Sequence, residues 1–196
     1  MKHMFTLSDG TAFRLQTLGA DDVADVSRLC DECVGDNLYS EAEIAGTIDA
    51  PDKSFYVLKN ENDEIVGYIY YYLTDVGNIA QEAKLDCALF RDVYSAEHRT
   101  VGKIQAVGLK AECRRSGLAA KMIRFVLDEL KENSIEAVFV VCWKPGGVLP
   151  LGRAIEECGF RFLSEAKKVW YDHDELFCHY CNGRCLCDAE VYYKLL

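Results

Sequence analysis

Arg114-Arg115-Ser116-Gly117-Leu118-Ala119 joins an apolar run to the clearest helical stretch of the chain. Upstream, residues 103–111 carry Ile104, Ala106, Val107 and Leu109, apolar enough for a buried strand. Downstream, residues 117–131 place Leu118, Met122, Phe125, Val126 and Leu130 along one helical face. A chain that leaves a strand and enters a helix directs several unpaired backbone N–H groups at one point. Those donors and the positive helix end make an anion site suited to phosphate. Gly117 lets the backbone approach such a group without a Cβ in the way, and Ala119 is small enough for the same approach. Lys110, Arg114, Arg115, Lys121 and Arg124 make the junction basic in a chain of formal charge −10. The hexapeptide alone also fits an ordinary tight turn. Its place between a buried strand and an amphipathic helix is what points to a ligand.

The flanking sequence alternates between the two periodicities. Residues 13–18 read as a short first strand. Residues 21–34 follow as a helix, with Val23, Val26, Leu29, Cys30 and Cys33 at helical spacing and Asp21 and Asp22 at its positive end. Ser40-Glu41-Ala42-Glu43 has capping-box spacing for a second helix, which Pro51 is expected to end. Residues 54–59 and 64–74 form a hairpin about the turn formers at 60–63. Residues 75–100 are the least regular and predict an excursion over a site. The run AVFVVCW at 137–143 predicts a central strand covered on both faces. Residues 151–158 predict a short helix capped by Gly159, and 160–163 and 189–195 predict closing strands.

Half of the 196 residues are hydrophobic, which excludes a disordered chain and suits one domain, or one domain with a small appendage. With 22 basic against 32 acidic residues, a general nucleic-acid binder is not expected. No apolar run approaches the ~18 residues of a membrane span. The opening MKHMFTLSDG lacks an apolar signal core, so a cytoplasmic protein is expected.

Residues 114–119 resemble the acyl-CoA pyrophosphate loop of the GCN5-related N-acetyltransferases (GNAT). Leu109-Lys110-Ala111 stands where that family has Val-x-Pro. Residues 154–160, AIEECGF, are similar to its helix ending in Gly-Phe, and the hairpin strand IVGYI at 65–69 is similar to its early strand pair. In element order the resemblance spans about residues 11–170. It implies an α/β fold with a mixed, splayed sheet. It further implies that Leu109, Lys110, Ala111, Arg114, Arg115, Ser116, Gly117, Leu118 and Ala119 bind acetyl-CoA, the pyrophosphate on the amides of 115–120. The pantetheine arm would pair with 109–111 like an added strand. The acyl carbonyl would lie near Val107 and Val141. A neutral amine from a small-molecule or peptide acceptor would attack the thioester directly, with backbone donors stabilising the tetrahedral intermediate and proximity supplying much of the rate. Two departures stand out. Lys103 occupies the position where many members carry an acid, and Ile155 the position of a proton-donating tyrosine. No catalytic residue transfers. Glu82, Asp86 and His98, in the irregular stretch, are candidates to approach the acceptor, with plain surface positions the alternative, and Trp143 stands in place of a common asparagine. A non-catalytic acyl-CoA-binding module and a zinc-stabilised interaction protein remain alternative readings.

Four of the ten cysteines lie between 178 and 187. Cys178-His179-Tyr180-Cys181-Asn182-Gly183 has the form of a metal knuckle, and Cys185-Leu186-Cys187 follows. Residues i and i+2 of an extended chain face one side, so Cys178, Cys181, Cys185 and Cys187 offer the tetrahedral thiolate set of a structural zinc. A redox or disulfide cluster and plain packed thiols are the alternatives, and His173 and His179 are substitute ligands. Cys30 and Cys33 share one helix face and read as core packing. The expected organisation is an acetyltransferase domain at 1–170 and a Cys-rich extension at 171–196 that completes the sheet.

Overall fold

The computed structural model describes residues 2–94 and 100–196. Strand β1 (Lys2–Thr6) pairs with β2 (Ala12–Thr17). Sequence patterning misses β1 because only Phe5 of its described side chains is buried, which leaves no alternation to read. A 3-10 turn at Ala20–Asp22 leads into α1 (Val23–Cys33), which buries Val23, Val26, Leu29 and Cys30. After β3 (Gly35–Asp36), the expected capping box opens α2 (Glu41–Ala45). There the Glu43 N–H donates to Ser40 Oγ, and the Ser40 N–H donates to the Glu43 carboxylate. This helix stops at Gly46, well before Pro51: the next amides, Thr47 and Ile48, bond three residues back, to Ile44 O and Ala45 O, in place of four.

The hairpin is β4 (Lys53–Lys59) and β5 (Ile65–Thr74), with Asn60 Oδ1 accepting the amides of Asn62 and Glu64 across the turn. The described part of the expected irregular stretch is helical. It forms α3 (Val76–Glu82) and α4 (Cys87–Val93), capped by Asp75 on the Asn78 N–H and by Asp86 on the Ala88 N–H. Helices this short show too few turns for periodicity to be legible. The chain then runs through β6 (Val101–Leu109), α5 (Leu118–Glu132), β7 (Ala137–Lys144), α6 (Gly152–Glu157), β8 (Arg161–Ala166), β9 (Phe177–Cys178) and β10 (Asp188–Leu195).

Eight strands form one mixed sheet in the order β1-β2-β4-β5-β6-β7-β10-β8. All neighbours are antiparallel except β6 and β7. β10 inserts between β7 and β8, and β9 pairs separately with β3. β7 explains its own unbroken apolar run: Val138, Val140 and Cys142 pack on the α5 face, while Ala137 and Phe139 pack on the α3–α4 face. Burial of each valine and of the phenylalanine here contributes roughly 1.5–3 kcal/mol. A third cluster seats α1 and α2 on β4 and β5. Among the described residues no helix is long and apolar enough to cross a membrane.

Gly108 on β6 faces the fully buried ring of Tyr68, and an added Cβ would meet Tyr68 Cε1 at 2.3 Å. Gly108→Ala is therefore expected to destabilise the fold by about 1–3 kcal/mol through overpacking. The measurement is a lower urea midpoint with an unchanged slope.

Candidate functional site

β6 and β7 share only three partner positions, Gly102↔Val138, Lys103↔Phe139 and Ile104↔Val140. Beyond these, Gln105 to Leu109 of β6 and Val141 to Lys144 of β7 run on without pairing to each other. Gln105 begins the divergence. It is an extra residue in β6, because Tyr70 and Tyr71 of β5 face Ala106 and Ile104 with nothing opposite Gln105. A bulge of this kind bends its strand and increases its twist. The Lys110 N–H bonds to Val66 O on the β5 side. By alternation, the backbone groups of Leu109 point away from β5 and into the opening. The Leu109 carbonyl there accepts Arg114 Nε at 3.0 Å, with Cys33 Sγ at 3.5 Å.

The loop after β6 turns through two left-handed residues, Arg115 (φ 61°) and Gly117 (φ 83°). Ser116 Oγ donates to Cys113 O at 2.6 Å and accepts the Leu118 N–H at 3.4 Å, which fixes the turn from within. The first bond of the α5 ladder runs from the Lys121 N–H to Gly117 O, so the amides of Leu118, Ala119 and Ala120 precede it. A Cβ on Gly117 would meet nothing within 4 Å, so the space before these amides is open. The structure thus brings Leu109, Lys110, Ala111, Arg114, Arg115, Ser116, Gly117, Leu118 and Ala119 to one mouth. Ala111 lies in a 3-10 turn, past the end of the strand.

A second polar group is built on Lys103, at the last but one position where β6 still pairs with β7. Lys103, only 3% exposed, donates Nζ to the Tyr72 hydroxyl at 2.9 Å and to Glu82 Oε2. The Tyr72 hydroxyl donates to Glu82 Oε1 at 2.6 Å. Burial lowers the Lys103 pKa, and the Glu82 charge opposes that shift. Burial also raises the Tyr72 phenol, and its bond to Glu82 adds to the rise. Glu82 and Tyr72 line a cavity of about 760 Å³, together with Asp52, Tyr70, Asn78 and His173. Tyr39, between α1 and α2, sets its ring edge-on to Tyr70 at 6.2 Å. Burial raises its hydroxyl pKa, and a hydrogen bond with the Gln105 side chain counters it. Of the residues named for an approach to the acceptor, Glu82 lines this cavity, Asp86 is a helix cap, and His98 lies outside the described residues. Sequence reading misses Tyr72, Tyr39 and Gln105. The run Tyr70-Tyr71-Tyr72 was the available signal, but strand propensity accounts for it equally well.

In the C-terminal segment, the sulfurs of Cys178, Cys181 and Cys187 lie within 4.8 Å of one another. Cys187 Sγ is 3.9 Å from Cys178 Sγ and 3.5 Å from Cys181 Sγ. Cys185 is buried in the same cluster and interacts with Cys178 and Cys187, but stands outside that mutual set. His179 is engaged elsewhere, with Nε2 2.7 Å from Asp36 Oδ1, and His173 lines the cavity. Neither histidine joins the sulfurs. Trp143 packs on this cluster, and its indole N–H is buried without a hydrogen-bond partner among the described residues. The Leu186 N–H donates to Cys181 Sγ at 3.3 Å.

The family model described as Acetyltransferase (GNAT) family matches residues 23–160, from the start of α1 to just beyond α6. The chain belongs to the GNAT family. Solved structures share this GNAT fold. Ribosomal-protein-S5-alanine acetyltransferase from Vibrio fischeri gives a TM-score of 0.64 at 12% identity, over 100% of this chain and 96% of that one. The ribosomal-protein-S18-alanine N-acetyltransferase from Escherichia coli gives 0.62 at 11% identity, over 93% of each chain. A chain of the NatC complex bound to Gag peptide and CoA gives 0.63 at 12% identity, over 94% and 98%. No curated protein matches the chain by sequence. The GNAT chain departs from the resemblance where the sequence does: Lys103 is buried against Glu82, and Ile155 is buried in the core.

Ser116→Ala removes both internal bonds of the GNAT loop. It is expected to cost about 0.5–1.5 kcal/mol per bond lost, read as a lower melting temperature.

Proposed function

We propose that the protein transfers an acetyl or similar acyl group from acyl-CoA to a primary amine. The observation that carries this is the divergence of β6 and β7 directly before an open, amide-lined turn. A strand edge released from its neighbour accepts an extended ligand by backbone pairing, and a helix start with free amides accepts phosphate. Leu109, Lys110 and Ala111 would hold the pantetheine arm, and Arg114 to Ala119 the pyrophosphate. The amine nitrogen attacks the thioester carbon, the C–N bond forms, the C–S bond breaks, and the CoA thiolate leaves as the nitrogen loses its proton. The acceptor is a small-molecule or peptide amine that enters by the cavity between β5, α3 and residues 169–173. Lys103 and Ile155 favour a second reading, an acyl-CoA-binding module without turnover.

Acetyl-CoA at about 100 times its Kd is expected to stabilise the fold by about 2.7 kcal/mol, a rise in Tm of roughly 5–10 °C for a chain of this size. Gly117→Trp fills the open space and is expected to abolish the rise. Thiol release over an amine panel separates the two readings. No rise in Tm with the native chain would remove both.

We also infer that Cys178, Cys181, Cys185 and Cys187 hold a structural zinc in the extension at 171–196, beside the acetyltransferase domain at 1–170. A tetrahedral site with Zn–S of about 2.3 Å sets its sulfurs ~3.8 Å apart, close to the 3.9 and 3.5 Å that separate Cys187 Sγ from those of Cys178 and Cys181, and Cys185, outside that set, must turn inward to supply the fourth thiolate. The Leu186 N–H at Cys181 Sγ favours a thiolate there. Such a site contributes on the order of 10 kcal/mol to folding its segment. Purified protein is expected to carry one zinc per chain. Metal-free protein with four reactive thiols would refute the site.

A further inference from the structure

The family's usual acid position is filled by a lysine, yet a carboxylate stands one side chain away. We propose that Glu82, at the end of α3, receives the acceptor's ammonium and takes its proton, with Lys103 and Tyr72 as positioning residues. This rests on the acyltransferase reading.

Lys103 occupies the last but one position at which β6 still pairs with β7, so its side chain marks the root of the opening. A lysine buried to 3% needs a counter-charge there, and Glu82 supplies it from a helix outside the central strands. The two carboxylate oxygens are held separately, Oε1 by the Tyr72 hydroxyl and Oε2 by Lys103 Nζ. A carboxylate offers about four acceptor sites, so two such bonds orient Glu82 and leave lone pairs over. The Glu82 side chain is 44% exposed, against 4% for Lys103, and it lines the cavity. Its unused lone pairs therefore meet whatever enters there, while the lysine stays behind it. A pair serving burial alone would have no need to hold its acid at a cavity wall.

The ammonium gives one proton to the Glu82 carboxylate and becomes a neutral amine. Its nitrogen attacks the thioester carbon and sheds a second proton to solvent through the cavity. The C–S bond then breaks with its electron pair on sulfur, and Glu82 returns its proton to water.

Glu82→Gln alone strands a buried ammonium and can unfold the chain, so the deciding comparison is made in a Lys103→Met background. There methionine fills the lysine's volume without charge, and Glu82 stays solvated. Thiol release is measured for the wild type, K103M and K103M/E82Q with the amine panel, and each is checked for its acetyl-CoA-induced Tm rise. K103M keeps the Tyr72 bond to Glu82 but loses the Lys103 bond that orients it, and its kcat is expected to fall by about 10–100-fold, the worth of one hydrogen bond to a charged group. K103M/E82Q is expected to fall a further 10²–10⁴-fold in kcat, the range of a lost proton acceptor, with the KM for acetyl-CoA unchanged. A kcat for K103M/E82Q within tenfold of K103M overturns the role of Glu82. A K103M with no measurable turnover moves the proton-accepting role to Lys103 and overturns it equally, and a K103M at the wild-type kcat overturns the positioning role of Lys103. A wild type that binds acetyl-CoA but turns over no amine removes the acyltransferase reading, and this one with it.

Discussion

Three residue pairs hold the two parallel strands of this sheet together, and everything at the site follows from where they stop. β6 cannot follow β7 further, because Gln105 adds a residue against β5 and turns the strand away. The loop before α5 continues the released end of β6, and Lys103, bonded to Tyr72 and Glu82, stands at its paired root. One strand therefore carries both Lys103 and the lead into the loop.

The sequence was most legible where burial and backbone geometry leave a local mark. The junction at 114–119, the amphipathic α5, the run in β7 and the capping box at Ser40 each carry their signal within a few residues, and each forms the element expected of it. What was not legible depends on contacts between distant segments. The bulge at Gln105 exists only in its register with Tyr70 and Tyr71. Glu82 gains meaning only once a twenty-one-residue separation closes onto Lys103. The short helices α3 and α4 are set by their aspartate caps and by packing against β7 rather than by their own periodicity.

The cysteine segment shows both sides of this limit. Its spacing pointed to a convergence of thiols, and three sulfurs do converge. That spacing says nothing of Trp143, which reaches the cluster from β7, or of Asp36, which takes up His179. Through β3 and β9 the same segment is tied to the chain just beyond α1, and Gly35 allows that contact because a Cβ there would meet Phe177 O at 2.4 Å.

The place of β10 between β7 and β8 has a consequence for biogenesis. As the chain leaves the ribosome, β7 emerges with one flank bare, and nothing made before β10 can cover it. The cysteine segment is translated in that interval, immediately ahead of the strand that closes the gap. Capture of a metal by the nascent thiols would shorten the search of β10 for its slot, and would guard an apolar ribbon against pairing with a neighbouring polypeptide.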